Sequence, residues 1–294
     1  MSGQAGAGEG MAQLREVLRR LGAGELRRAS LVRGGRHTQV LRLECEGGTY
    51  GLRVFPPRQE ELARREYLVM RHLQGTRIPA PEPHALLTLE GRAAILMSWC
   101  PGRPMATELM RRPWRACHLG ASMGRLQAEL HALDVPPELR SALPSWLEAI
   151  PLDPELRCLL ERVSLGRESL LHLDVHPFNV MTDGGRVTGL LDWANARLGD
   201  PRADWARTLS ILRLDVGSRP WIVVALVRLF ELGWRWGYRS RRGRLAHMPA
   251  FLAWAGELLL RDRGPRPDRQ DSLSPAEVAR VRRWISTWRR RVGL

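Results

Sequence analysis

Residues 170–206 read LLHLDVHPFNVMTDGGRVTGLLDWANARLGDPRADWA, where short apolar runs are interrupted by a few chemically active residues. Leu170 and Leu171 lead into His172, Asp174, His176 and Asn179, and a strand from Arg186 to Leu191 ends at Asp192. A turn centred near Gly184-Gly185 would bring residues 179 and 192 within about two positions of cross-strand register. One amide oxygen and one carboxylate could then share a hard cation, and Mg²⁺ prefers such oxygen ligands. Asp174, five residues before Asn179, would stand nearby to accept a hydroxyl proton. His172 is expected to brace the loop by hydrogen bonding, and His176 has no single reading. A metallohydrolase built on His172-x-Asp174-x-His176 lacks further distant histidine ligands.

The Asp-x4-Asn spacing followed by an Asp at a strand end is the arrangement of kinase catalytic loops. HLDVHPFN followed by LLDWANARLGDPRAD resembles the motifs of the aminoglycoside phosphotransferase family, whose pattern is closer to HGDLHPGN, IDW and GDPxxD. The resemblance implies an α+β, protein-kinase-like fold of two lobes. It also implies transfer of the γ-phosphoryl of ATP or GTP to a small-molecule hydroxyl. By resemblance Asp174 is catalytic, Asn179 and Asp192 hold Mg²⁺, and Asp204 supports the loop. Leu173 and Phe178 stand where glycine is usual, which bears on loop geometry and substrate room.

Upstream, strand-like runs at Leu26 to Arg33, His37 to Cys45 and Thr49 to Phe55 precede a helix from about Gln59 to Leu73. Further strands at His84 to Leu89 and Arg92 to Trp99 complete an expected five-stranded antiparallel sheet with one inserted helix. On that helix Glu66 shares a face with Leu62, Ala63, Val69, Met70 and Leu73, so it needs a cation, and Arg53 is the obvious partner. This looks like the kinase strand-to-helix ion pair with arginine for lysine. Gly34-Gly35 falls where a phosphate-covering turn would lie. Met97 to Gly102, with Trp99, resembles the connector whose backbone would hold the nucleotide base.

After Pro101 the pattern turns helical, with segments near Pro113 to Leu133, Asp153 to Val163, Ala203 to Leu214, Pro220 to Tyr238, Arg244 to Arg261 and Pro275 to Val292. The division expected is an N-terminal tail and helix over 1–25, a nucleotide-binding lobe over 26–100 and a catalytic lobe over 101–294. Residues 1–10 and Arg263 to Ser272 read as disorder-prone, and Ser274, Pro275 and Glu277 form a capping box. The chain has 294 residues and a net charge of +15, with no lysine, so every basic residue is arginine and a P-loop is excluded. Residues 205–294 hold 19 Arg against 7 acidic residues, which places +12 there. Such charge could attract nucleic acid, yet the absence of lysine reads as compositional bias, and nucleic acid is not the expected partner. A catalytically weak nucleotide-binding protein is the other alternative. Four scattered cysteines read as reduced thiols, and the lack of a secretory signal or an apolar run of about 20 residues suggests a cytoplasmic protein without a membrane span.

Overall fold

The computed structural model describes residues 2–32, 38–166, 168–214, 220–265 and 272–294. They form two compact units, one made of Met1–Pro101 with Thr188–Ala194 and the other of Gly102–Val187 with Asn195–Leu294. The first unit contains α1 (Ser2–Arg20), β1 (Leu26–Val32), β2 (Gln39–Cys45), β3 (Gly48–Val54), α2 (Glu60–Leu73), β4 (Pro83–Leu89) and β5 (Arg92–Ser98). Its strands make the expected five-stranded antiparallel sheet in the order β1-β2-β3-β5-β4.

Strand periodicity decides what each face of that sheet carries. Leu52 and Val54 of β3 join Leu43, Leu96 and the α1 residues Leu14 and Leu18 in one apolar cluster. Arg53, between them, takes the opposite face. Helical phase does the same for α2, which buries Ala63, Glu66, Val69, Met70 and Leu73 on one side. α1 packs on the sheet as expected, but it begins at Ser2, within the segment that reads as disorder-prone.

The second unit continues with β6 (Arg103–Pro104), α3 (Met105–Arg111), α4 (Ala116–Leu130), α5 (Pro137–Ala142), α6 (Pro154–Val163), β7 (Ser169–Leu171) and β8 (Val180–Thr182). β9 (Val187–Leu190) takes the chain back into the first unit, and β10 (Arg197–Gly199), α7 (Pro201–Leu214), α8 (Trp221–Arg242), α9 (Met248–Arg263) and α10 (Pro275–Arg290) follow. The short α3 and α5 are additions to the sequence reading. α8 runs past Tyr238 to Gly243, whose φ of 73° ends it, and His247 at φ 56° delays α9 to Met248. The capping box at Ser274 and Glu277 is present. No described helix is long and apolar enough to cross a membrane.

The tightest packing in this unit is the crossing of α4 and α8, and it rests on four glycines. A Cβ on Gly120 or Gly124 would lie 2.0 or 2.1 Å from the carbonyl oxygens of Phe230 and Trp234. Likewise a Cβ on Gly233 or Gly237 would lie 2.0 or 2.2 Å from those of Cys117 and Ala121. Each helix therefore lays a small-x-x-x-small strip against the other's backbone, a spacing no side chain would permit. Gly124→Val should force the helices apart and destabilise the protein by about 3 kcal/mol, a large overpacking cost. Urea denaturation checks this, and a loss under about 0.5 kcal/mol, the usual surface scatter, would show that the crossing yields freely.

Candidate active site

The loop from His172 to Asn179 follows β7 in the second unit. Its anchor is Asp204 in the first turn of α7, a carboxylate with no solvent exposure. Asp204 accepts backbone N–H groups from Leu173 at 2.7 Å and His172 at 3.3 Å. Its third partner is His131 Nε2, at 2.8 Å. With Asp204 ionised that nitrogen donates, so Nδ1 accepts from the Tyr238 hydroxyl at 2.9 Å. Burial alone would raise the pKa of Asp204, but the bond from His131 and the electrostatic attraction of His131 and His172 hold it below the ordinary value.

One turn along all three helices the pattern repeats with neutral groups. Gln127 on α4 donates to Thr208 on α7 at 3.0 Å, and Trp234 on α8 donates to Gln127 at 2.9 Å. Two stacked polar layers thus tie α4, α7 and α8 together, and the glycine crossing lets α8 come close enough to join them.

Leu173 adopts φ 58°, a left-handed conformation that costs a leucine about 1 kcal/mol or more. The family's glycine at this position therefore has a backbone reason. Here two contacts from α7 hold the strained residue, since Asp204 accepts its N–H and Arg207 Nε donates to its carbonyl at 3.3 Å. Phe178, the other departure from glycine, needs no such freedom and is 70% exposed.

Within the loop, Asn179 Nδ2 donates to both the Asp174 carbonyl (3.0 Å) and its Oδ2 (3.1 Å). Asp174 N–H donates to His172 Nδ1 at 3.2 Å, which ties His172 into the loop. His176 Nδ1 accepts from Phe178 N–H, and its Nε2 lies 3.4 Å from Asp174 Oδ2. Burial opposes ionisation of Asp174, but the bond from His176 and the charges of His176, Arg207 and His172 prevail and keep it well below the carboxylate range. Among the described residues no group of three or more His, Cys, Asp or Glu side chains gathers as a metal-binding cluster.

The first unit supplies the second constellation. Arg53 Nε stands 3.4 Å from Glu66 Oε2, so the expected ion pair forms, with both side chains buried. The guanidinium has a closer partner that the sequence reading did not give it: Nη2 donates to Asp192 Oδ1 at 2.7 Å. Asp192 lies beyond the end of β9 in a left-handed turn at φ 65°. The next residue turns back, with Trp193 N–H donating to Glu66 Oε1 at 3.4 Å. Burial pushes the Glu66 carboxyl up to about 7, with Asp192 adding to the rise and Arg53 and the Trp193 N–H opposing it. Trp99 is partly buried with Arg42 over its ring at 5.5 Å, and Gly34 and Gly35 lie outside the described residues. Asn179 and Asp192 belong to different units, each described within its own.

A model of the phosphotransferase enzyme family APH matches residues 28–244. The chain belongs to this family. A homoserine kinase of Polaromonas naphthalenivorans (strain CJ2) is 28% identical over 67% of this kinase and 72% of its own length. The uncharacterized protein YcbJ of Bacillus subtilis (strain 168) is 51% identical over 41 residues, covering 14% of this chain and 13% of the relative. Among solved structures, a thermostable mutant of aminoglycoside phosphotransferase APH(4)-Ia, in ternary complex with AMP-PNP and hygromycin B, superposes with a TM-score of 0.63 at 15% identity, over 94% of this chain and 97% of that one. The fold is kinase-like and the chain is a small-molecule kinase.

Several residues that shape the site of this kinase are absent from the sequence reading. His131, Tyr238 and Gln127 act across 73 to 107 positions of chain, and Arg207 contacts Leu173 from 34 residues away. Polar Gln127 on the otherwise apolar buried face of α4, with His131 four residues on at its end, is the one local sign.

Arg53→Met should strand a buried carboxylate and cost about 3 kcal/mol, while the double variant with Glu66→Gln should cost less than the sum of the singles. A denaturation cycle that is additive would break the pair. Because the folded value of Glu66 lies above the ordinary 4.5, its stabilising contribution is full below about 4.5 and is lost as pH rises through about 7. The metal-free protein should therefore lose stability between those pH values, and Glu66→Gln should flatten that slope in thermal melts.

Proposed function

We propose that the kinase transfers the γ-phosphoryl group of ATP to a hydroxyl of a small molecule, with Asp174 orienting the acceptor. The observation that carries this is the bond from Asn179 Nδ2 to Asp174 Oδ2, which fixes an ionised carboxylate beside an amide whose oxygen is left for a cation. In phosphoryl transfer the acceptor proton leaves late, so a carboxylate of low basicity suffices and positioning does most of the catalysis.

Asn179 and Asp192 are the proposed Mg²⁺ ligands. Both offer oxygen donors, and the Asp192 side chain is 37% exposed with its Oδ1 engaged by Arg53. Bound Mg²⁺ would neutralise phosphate charge. Arg53, held by Glu66, is proposed to face the nucleotide phosphates, with Trp99 near the base and Gly34-Gly35 over the phosphates. Similarity to an AMP-PNP complex favours ATP over GTP as the first nucleotide to test.

For the acceptor we propose a neutral, anionic or zwitterionic alcohol rather than a polycation. Three carboxylates of the arginine-rich third, and Asp204 just before it, could have gathered around a polycation, and each is engaged instead. Glu231 meets Arg213, Arg228 and Arg235; Asp262 meets Arg207; Glu257 meets Arg289; Asp204 meets His131. Similarity to a homoserine kinase makes amino alcohols the first acceptors to try.

The test is a Mg²⁺-dependent ATP turnover screen across hydroxylated acceptors, and failure with every acceptor while nucleotide still binds would favour the catalytically weak binding protein. Asp174→Asn should retain nucleotide affinity and lose turnover by about 10² or more, as removal of a positioned base does. Asp192→Ala should lose Mg²⁺-dependent ATP binding in calorimetry, and unchanged affinity would remove Asp192 as a ligand.

A further inference from the structure

On the helical side of the second unit, Trp205, Leu252 and Trp288 of α10 help line a cavity of about 230 Å³. Arg213, Arg235 and Arg239 also line it. None of these residues belongs to the loop, the polar layers or the ion pairs of the nucleotide unit, and the cavity has no part in the reaction described above.

Its charge is uncompensated. Three guanidinium groups, from Arg213, Arg228 and Arg235, share the one buried carboxylate of Glu231 at 2.6, 2.8 and 3.2 Å. Arg228 does not line the cavity, so among the described residues Arg213, Arg235 and Arg239 set three positive charges against that one carboxylate, an excess of two. Arg213 and Arg235 are only 31% and 29% exposed, so water screens them incompletely. Burial first, and then repulsion from Arg235 and Arg244, lower the basicity of Arg239. A second observation points the same way. Trp205 is 4% exposed, and its indole Nε1–H is buried without a hydrogen-bond partner among the described residues. Buried donors left unpaired cost about 1–3 kcal/mol, and Trp205 lines the cavity, so a turn of its ring would let an acceptor there satisfy the N–H.

An anion would relieve both costs at once. Guanidinium groups prefer planar or tetrahedral oxyanions, which they bind through paired N–H donors. The Leu252 floor and indole walls favour an apolar body behind that head group, and the volume limits it to roughly one ring. We infer that this cavity is a second ligand site, for a compact aromatic anion carrying a phosphate or carboxylate.

Phenyl phosphate is the probe, titrated by calorimetry into the full chain in the presence of saturating Mg·ADP so that a nucleotide site is already filled. Saturable one-site binding is expected, with affinity at least about tenfold weaker in Arg239→Gln, as loss of one charge-assisted contact implies. Phenol, which matches the ring but lacks the charge, should give no binding. The inference is overturned by the absence of saturable heat up to about 10 mM probe, the weakest range worth calling specific. It is equally overturned by unchanged affinity in Arg239→Gln, or by phenol binding as tightly as phenyl phosphate. Because Arg239 lies outside the catalytic loop, a failed acceptor screen and a failed titration are separate results.

Discussion

A carboxylate cut off from water sets the geometry of the catalytic unit. An ionised Asp204 in an apolar interior is tolerable only if several donors converge on it, and the donors must come from fixed directions. Two are backbone N–H groups of the loop after β7 and one is the imidazole of His131 at the end of α4. The loop is therefore placed by the same interaction that makes the helix bundle affordable. The imidazole in turn needs the Tyr238 hydroxyl, which requires α8 to approach α4 closely, and that approach explains four glycines at two matching spacings. Aromatic bulk and absent side chains serve one end here, since both put a polar atom of α8 within reach of α4.

Strain in the loop follows from the same logic. Leu173 occupies a left-handed conformation in which glycine would be at ease, yet it is 3% exposed and its side chain contributes apolar burial that glycine would forfeit. Holding both of its backbone polar groups from one turn of α7, through Asp204 and Arg207, offsets the strain. A leucine can be held in this conformation because the support is local and complete. Arg207 adds an electrostatic effect on Asp174, so one arginine both braces the loop and favours the ionised carboxylate.

The parts of this architecture that could be read from the sequence are those governed by period and short spacing. Alternation along β3 separates Arg53 from Leu52 and Val54, and the phase of α2 turns Glu66 inward, so their pairing needed only two local patterns. The five strands, the inserted helix and the capping box at Ser274 were legible for the same reason. The claim of Asp192 on Arg53 was not, because the turn after β9 has a backbone conformation that no residue there announces. His131 and Tyr238 were invisible for a different cause: a satisfied buried histidine and a ligand histidine look alike until the partner, 73 residues off, is in place. Residue boundaries of α8 and α9 shifted because a glycine and a histidine in left-handed conformations ended and delayed them.

Excess arginine in the last third reads as bulk charge in the sequence, but in the fold it is sorted. Arg207 and Arg289 each neutralise a carboxylate on α9, and three arginines converge on Glu231. Pairing of this kind consumes the negative charge that recognition of a polycation would need, since a carboxylate already bridged by guanidinium offers a second cation little net attraction. What remains is positive. The acceptor preference proposed above rests on which acids the helices leave unpaired rather than on the sum over the chain.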